Sequence, residues 1–176
     1  MIESLITSKT RIKLLLKFFL NSNTRSWLRD LEHEFGESTN AIRLELNRFE
    51  EAGLLKSEVH GNKKIFQANT KHPLFMDIHN ILLKQTGIDH ITERIIRKIG
   101  GLKQAWLLGE MAQGKNSSVI DLLFVGDNID NSYLLQLASK AQEITGRKIR
   151  FMTTLTSESS MLLEAHPEAL LLWEEE

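Results

Sequence analysis

Three short amphipathic segments and a hairpin signal follow one another within the first 70 residues of the chain. Apolar residues recur at helical spacing in three stretches, residues 7–20, 27–35 and 39–52. Gly36 and Gly53 stand where the second and third stretches end, as helix stops commonly do. Two strand-like runs then surround the Gly61-Asn62 pair, which is typical of a hairpin turn. This order predicts three helices followed by a two-stranded antiparallel sheet.

The short connection between the second and third helices indicates a helix-turn-helix. Residues 36–38 leave room only for a turn, which lets the third helix enter a DNA major groove. With its apolar residues facing inward, this helix presents four polar residues outward: Thr39, Asn40, Arg43 and Asn47. Asparagine and arginine can form bidentate hydrogen bonds with adenine and guanine, respectively. We therefore predict that these four residues read bases.

Cations outside the third helix are placed to hold the DNA backbone. The hairpin tip carries Asn62, Lys63 and Lys64, and Arg25 lies at the start of the second helix. Polar and cationic side chains in such places commonly contact phosphates. Residues 1–70 hold 11 Lys and Arg against 9 Asp and Glu, a net charge of only +2. A dimer that binds two half-sites would compensate for the weak electrostatic attraction of a single copy for DNA.

Four carboxylates are predicted to lie near this reading face: Glu32, Glu34, Glu37 and Glu45. Like charges repel, so these residues would weaken the attraction for phosphate.

Residues 9–70 resemble the ArsR-like and MarR-like winged-helix transcriptional regulators. The match is clearest over residues 42–55. Four of these residues follow the Leu-x-x-Leu-x-x-x-Gly-Leu pattern with which this family ends its recognition helix: Leu46, Phe49, Gly53 and Leu54. The resemblance implies DNA binding. ArsR-type metal sensing through cysteines is not expected, because the chain has no cysteine, and we expect neither a metal nor a cofactor.

Two further helical patterns occupy residues 74–87 and 88–99, after Pro73. Apolar-faced helices between a DNA-binding unit and another domain either form a dimer interface or pack on their own chain. A helix-turn-helix gains most from two-fold pairing, so we predict a homodimer. The predicted domains are then a winged helix at 1–70, a helical linker at 71–99 and a third domain at 100–176.

Strand and helix patterns alternate in the last part of the chain, after Gly100-Gly101. Strands are predicted at 105–108, 119–125 and 148–153, with helices at 131–145 and 157–165. Residues 170–173 are read as a last strand or a helical turn. This alternation is typical of a small α/β unit. The chain as a whole is therefore predicted to be an α+β protein.

The loop between the first two of these strands carries a motif. Leu108-Gly109-Glu110-x-Ala112-x-Gly114 is followed by Ser118-Val119-Ile120-Asp121. This spacing resembles the nucleotidyltransferase superfamily related to DNA polymerase beta, over about residues 100–155. The resemblance implies a Gly-Ser turn that holds a triphosphate. It also implies three carboxylates that hold divalent cations for an in-line attack.

Three positions depart from that pattern. Glu110 stands where the family has serine, Val119 replaces the first aspartate, and Arg150 falls where the third carboxylate belongs. Asp121 remains, and we predict that it pairs with Arg150 across adjacent strands. The domain is therefore predicted to be catalytically inactive, and the chain not to be an enzyme. Gly109, Asp121 and Arg150 then mark either a site for a nucleotide or other anionic effector, or a structural ion pair.

Together these patterns predict a sequence-specific transcriptional regulator that binds double-stranded DNA. Two alternatives stay open: an active nucleotidyltransferase of toxin–antitoxin type with a winged-helix module, and a winged-helix scaffold that binds protein only. No apolar stretch approaches the ~18 residues of a membrane span, and the start of the chain lacks a signal-peptide layout. We therefore expect a cytoplasmic protein that does not contact membranes.

Overall fold

The first helices form where the sequence predicts a helix, and a short additional one precedes them. A computed structural model describes residues 2–175, so Met1 and Glu176 lie outside the described residues. Helix α1 spans Ile2–Leu5, and α2 spans Lys9–Leu15. The Ser8 hydroxyl caps α2 by accepting a hydrogen bond from the Arg11 N–H at 3.2 Å. A π-helical turn, Leu16–Leu20, continues α2, and all five of its residues are buried.

Helices α3 (Leu28–Phe35) and α4 (Thr39–Glu51) meet at the predicted turn. Gly36 ends α3 with a φ of 63°, a left-handed conformation that glycine adopts without strain. Ser38 then caps α4 by accepting a hydrogen bond from the Ala41 N–H. The apolar residues that were expected to face the core are buried: Ile42, Leu46 and Phe49. The predicted turn and the inward face of α4 are thus confirmed.

A three-stranded antiparallel sheet packs with these helices. Its strands are β1 (Ser26–Trp27), β2 (Leu55–His60) and β3 (Lys63–Ala68), in the order β1-β3-β2. The β2–β3 hairpin is confirmed, with His60 opposite Lys63 across the turn. Strand β1 was not predicted, and Trp27 lies in it rather than in α3. Pairing with β3 satisfies backbone hydrogen bonds that an isolated β3 edge would leave to water.

Helix α5 (Phe75–Thr86) belongs to this first unit because an aromatic cluster joins it to the core. The Phe19 ring lies 6.4 Å from Phe49 and 5.8 Å from Phe75, measured between ring centroids. The His79 ring bonds the Phe19 carbonyl oxygen through Nδ1 at 2.8 Å. The chain separates into two compact units, Met1–Gln85 and Thr86–Glu176, so the division falls inside the segment that the sequence analysis treats as a linker.

The second unit is built on a four-stranded mixed sheet in the order β6-β5-β4-β7. The strands are β4 (Leu102–Leu108), β5 (Val119–Gly126), β6 (Lys148–Thr154) and β7 (Leu170–Glu174). Strands β5 and β6 run parallel, and the other neighbouring pairs run antiparallel. The three predicted strands are present, and residues 170–173 lie in a strand rather than a helical turn.

The second unit also contains α-helices. They are α6 (Ile88–Arg94), α7 (Gly109–Ala112), α8 (Asn131–Thr145) and α9 (Ser159–Glu164). The prediction for α8 is confirmed at both ends, where Asp130 caps its start and Gly146 follows its end. The predicted helices 88–99 and 157–165 are each divided into an α-helix and a 3-10 turn, at Ile96–Lys98 and Thr156–Glu158.

Both faces of the central strand β5 are covered, which explains its nearly continuous apolar sequence. On one face, Leu162 and Leu163 of the α9 segment pack against a cluster that contains Leu123 and Val125. The architecture is therefore mixed α+β, as predicted. Between residues 2 and 175, no helix combines the length and the apolar character that a membrane crossing requires.

Candidate functional site

A cleft of about 510 Å³ lies between α4 and the β2–β3 hairpin in the first unit. Five of the eight predicted DNA-binding residues line it: Arg43, Asn47, Asn62, Lys63 and Lys64. Buried Leu46 and Phe66 supply apolar lining. The structure therefore brings the outward face of α4 and the hairpin tip onto one surface, although the two are separated in sequence.

The three remaining predicted residues lie outside the cleft lining. Asn40 is exposed one turn before Arg43, and its Oδ1 accepts a hydrogen bond from Arg43 Nη1 at 3.4 Å. Thr39 is half-buried at the start of α4. Arg25 is exposed next to β1, where it pairs with Glu58 of β2. Asn40 thus extends the same helix face, while Thr39 is less accessible than predicted.

Sequence reasoning missed two residues of this cleft, Trp27 and Arg29. The Lys63 ammonium lies 3.7 Å from the centre of the Trp27 ring, a cation–π contact that holds the lysine at the hairpin tip without a carboxylate. Arg29 is exposed in the first turn of α3. The amphipathic pattern of α3, in which Leu31 is buried, could have placed Arg29 on the outer face, whereas only the β1–β3 pairing brings Trp27 to Lys63.

Two predicted phosphate contacts are occupied by carboxylates. Arg25 Nη2 lies 2.8 Å from Glu58 Oε2, and Lys64 Nζ lies 2.6 Å from Glu50 Oε2. Hydrogen bonds from His60 and Arg25 lower the pKa of the Glu58 carboxyl below its usual range. Hydrogen bonds from Lys64 and Ser57 likewise lower the pKa of Glu50. Exposed ion pairs of this kind contribute little stability, so a phosphate can compete for both cations.

The prediction that nearby carboxylates repel phosphate needs correction for three of the four. Glu45 is buried between Arg11, at 2.9 Å, and Arg48, at 3.1 Å. Lys17 Nζ lies 2.7 Å from Glu34 Oε2. Lys13 Nζ lies 2.7 Å from Glu37 Oε1. Cations from α2, from the π-helical turn after it and from α4 itself therefore neutralise these carboxylates within the fold.

The predicted ion pair of the second unit is present. Arg150 of β6 meets Asp121 of β5 through two hydrogen bonds, Nε to Oδ1 at 2.6 Å and Nη2 to Oδ2 at 2.9 Å. The parallel register sets Asp121 opposite Arg150, so their side chains leave the sheet on the same face. Hydrogen bonding to Asp121 raises the pKa of the Arg150 guanidinium. An arginine has five N–H donors, so donors beyond these two are left for an anion.

Gly109 brings the turn after β4 close to this pair. Its φ is +67°, and a Cβ at this position would lie 2.8 Å from Asp121 Oδ2. The Gly109 N–H donates to Glu168 Oε1 at 3.3 Å, and His166 Nδ1 lies 3.1 Å from the same oxygen. Burial raises the pKa of Glu168, but hydrogen bonds from its own amide, His166 and Gly109 lower it, and the net pKa is below the usual value.

Glu168 is therefore a carboxylate of this site that the sequence reasoning missed. The contact spans 59 residues of chain, and nothing local to Glu168 signals it. Gly109, Asp121, Arg150 and His166 line a cleft of about 380 Å³. Among residues 2–175, no group of three or more His, Asp or Glu side chains is arranged to hold a metal ion.

Comparisons with known proteins give two structural likenesses. The chain matches no family model and no curated protein. Its structure is similar to that of AF1382 from Archaeoglobus fulgidus, at 17% sequence identity and a TM-score of 0.38, over 53% of this chain and 98% of that chain. It is also similar to a "putative nucleotidyltransferase" from Sulfolobus solfataricus, at 17% identity and a TM-score of 0.34, over 60% of this chain and 92% of that chain.

The second likeness corrects one prediction. The departures at residues 110, 119 and 150 predicted that the chain is not an enzyme. The name of the Sulfolobus solfataricus protein is that of an enzyme, which contradicts this prediction, and the prediction is withdrawn.

Proposed function

We propose that the first unit is a winged helix that binds double-stranded DNA and that the chain acts as a sequence-specific transcriptional regulator. One observation carries the proposal: Arg43 and Asn47 of α4 line the same cleft as Lys63 and Lys64 of the hairpin. In a winged helix, these two elements are the recognition helix and the wing. Residues 1–70 form the proposed DNA-binding domain.

Base reading is assigned to the outward face of α4. Asn40, Arg43 and Asn47 are exposed and carry the side chains that bond adenine and guanine edges bidentately. Thr39, at the start of the helix, supplies a hydroxyl that can bond either kind of base edge. Leu44 is 51% exposed on this helix and offers an apolar contact for a thymine methyl group.

Backbone contacts are assigned to the hairpin and to Arg25. Lys63 has no carboxylate partner among the described residues and is held by the Trp27 ring, so it can meet a phosphate without breaking an ion pair. Asn62 stands beside it at the tip. Lys64 and Arg25 can contact a phosphate only after their ion pairs with Glu50 and Glu58, respectively, break.

Pairing of two copies is proposed through the helices of residues 71–99. Leu74, Met76 and Ile81, in or next to α5, are between 48% and 57% exposed. Apolar side chains of this size in one short segment favour burial against another chain. Two DNA-binding units related by a two-fold axis would then bind two half-sites.

The third part of the proposal concerns residues 100–176. The cleft lined by Gly109, Asp121 and Arg150 offers guanidinium donors to an anion, so we assign it the binding of a nucleotide or another anionic effector. A reaction at this unit has a direct assay, the magnesium-dependent transfer of label from a nucleoside triphosphate.

Lys63→Ala tests the wing contact. The variant should bind all duplex sequences more weakly and should lower the slope of log affinity against log salt by about one unit, because one phosphate contact is lost. Fluorescence anisotropy on labelled duplexes between about 50 and 200 mM salt measures both quantities. An unchanged slope would remove the wing from the interface. Lys148→Ala, an exposed lysine of β6 in the other unit, is the matched control.

Removing two carboxylates should strengthen DNA binding. Glu50→Gln with Glu58→Gln releases Lys64 and Arg25 from their ion pairs and removes two negative charges beside the phosphates. We expect about a 5- to 20-fold gain in affinity at low salt, which shrinks as salt screens the charges. Glu158→Gln with Glu164→Gln, which removes two exposed carboxylates at the start and end of α9 in the other unit, controls for the net charge. Equal gains in DNA affinity from the test variant and the control variant would show that total charge, and not these two ion pairs, limits binding.

A further inference from the structure

A second cleft of the C-terminal unit lies between α6 and α8, and it contains none of the residues assigned above to DNA binding or to the Asp121–Arg150 site. Its volume is about 360 Å³. The helices approach closely at one end, where a Cβ at Gly87 would lie 2.8 Å from Thr145 Cγ2. Residues further along α6 and the turn after it, up to Lys98, line the cleft together with residues 137–144 of α8.

The lining of this cleft divides into an apolar part and a cationic part. Four apolar side chains contribute: Ile95, Leu137, Ala141 and Ile144. Three cations stand with them: Arg94, Lys98 and Lys140. All three cations are exposed, and within residues 2–175 none of them forms an ion pair. Glu143 is the one carboxylate of the lining, so a net positive charge remains even with His90 neutral.

A ligand that fits this lining carries both a negative charge and an apolar surface. Cations that no carboxylate of the fold satisfies attract an anion, and charge-assisted hydrogen bonds to arginine and lysine are stronger than neutral ones. Ile144, 46% exposed, leaves apolar surface in water that a ligand with a hydrocarbon body would cover. A purely polar anion such as phosphate would leave this apolar surface exposed to water.

The size of the cleft favours a small molecule over a protein partner. Pockets for small molecules commonly measure about 300–1,000 Å³, which includes this one. A stable protein–protein contact buries about 1,200–2,000 Å² and needs a longer surface than one crossing of a seven-residue helix. We propose that the α6–α8 cleft binds a small organic carboxylate with an apolar body, whose carboxylate meets Arg94, Lys98 and Lys140.

The test is a titration of the full chain, labelled with nitrogen-15, by octanoate and by octan-1-ol. Octanoate should shift the amide signals of residues 88–98 and 137–144, and these shifts should saturate as its concentration rises. The alcohol, which has the same apolar body without the charge, should bind at least about 10-fold more weakly, because it lacks the charge-assisted bonds. Equal binding of the two would overturn the recognition of an anion, and the absence of saturable shifts up to about 5 mM octanoate would overturn the site.

Variants locate the contact. Lys98→Gln with Lys140→Gln should weaken octanoate binding about 10-fold and leave octan-1-ol binding unchanged, since only charge-assisted bonds are removed. Lys148→Gln, which removes an exposed lysine outside the lining, should change neither. Ile144→Ala should weaken both ligands by a similar factor because it removes shared apolar contact. A loss in Lys148→Gln as large as in the double variant would contradict the assignment.

Discussion

Gly126→Ala should lower the free energy of unfolding of the second unit by about 3 kcal/mol or more. Gly126 ends β5, opposite Leu102 of β4. A Cβ at this position would lie 2.1 Å from the Gly101 carbonyl oxygen and 3.0 Å from Leu102 Cα. Both obstacles are backbone atoms, so no side-chain rotation can relieve the overlap. The paired strands themselves must move apart, at the cost of sheet hydrogen bonds and core packing.

A neighbouring glycine provides the matched control. Gly100 has no positive φ, and a Cβ there would meet nothing within 4 Å. Gly100→Ala should therefore change stability by no more than about 0.5 kcal/mol, as surface substitutions commonly do. Thermal unfolding of both variants, followed by circular dichroism, makes the comparison. Equal melting temperatures would show that β4 and β5 do not approach as closely as described.

Arg43→Ala should cost about 1–3 kcal/mol of binding to the preferred duplex, or about 5- to 150-fold in affinity, and should relax specificity at one base pair. Arg43 is exposed on α4, lines the cleft with the hairpin cations and is free of carboxylate partners among the described residues. Its guanidinium can therefore reach a guanine edge without first breaking an ion pair. A bidentate contact of this kind distinguishes one base from another, so its loss shows in the sequence preference as well as in affinity.

The readout for Arg43→Ala separates base reading from simple attraction. Affinity is measured on the preferred duplex, on its single-base variants and on an unrelated duplex. Lys148→Ala, an exposed lysine of β6 in the other unit, controls for the loss of one positive charge. An equal loss on all duplexes would contradict the base-reading role and would leave Arg43 as a phosphate contact.

Local patterns predicted most of the elements for identifiable reasons. The extent of α8 follows from the helical spacing of its apolar residues, and in the structure Asp130 caps its start and Gly146 follows its end. The inward face of α4 follows from the spacing of three apolar residues. By contrast, β1 has two residues, too few for any periodicity, and it forms only because the edge of β3 is available.

The sites were predicted where they depend on local geometry and missed where they depend on distant contacts. The Asp121–Arg150 pair follows from two strands in register, and alternation along each strand fixes the face of both side chains. Glu168, in contrast, reaches Gly109 across 59 residues. The neutralisation of Glu45 by Arg11 needs α2 and α4 to pack together. The cleft between α6 and α8 likewise depends on how two helices cross, which periodicity does not specify.

The most direct test of the central claim, sequence-specific DNA binding by the first unit, is selection of bound duplexes from a genomic pool. The purified full chain is mixed with the pool at about 100 mM salt, and the bound fragments are sequenced. The account predicts an enriched inverted repeat whose half-sites lie about 10 base pairs apart, or a multiple of that, and its loss with Arg43→Ala. Absence of any enriched sequence, together with no salt-sensitive binding to any duplex, would contradict it.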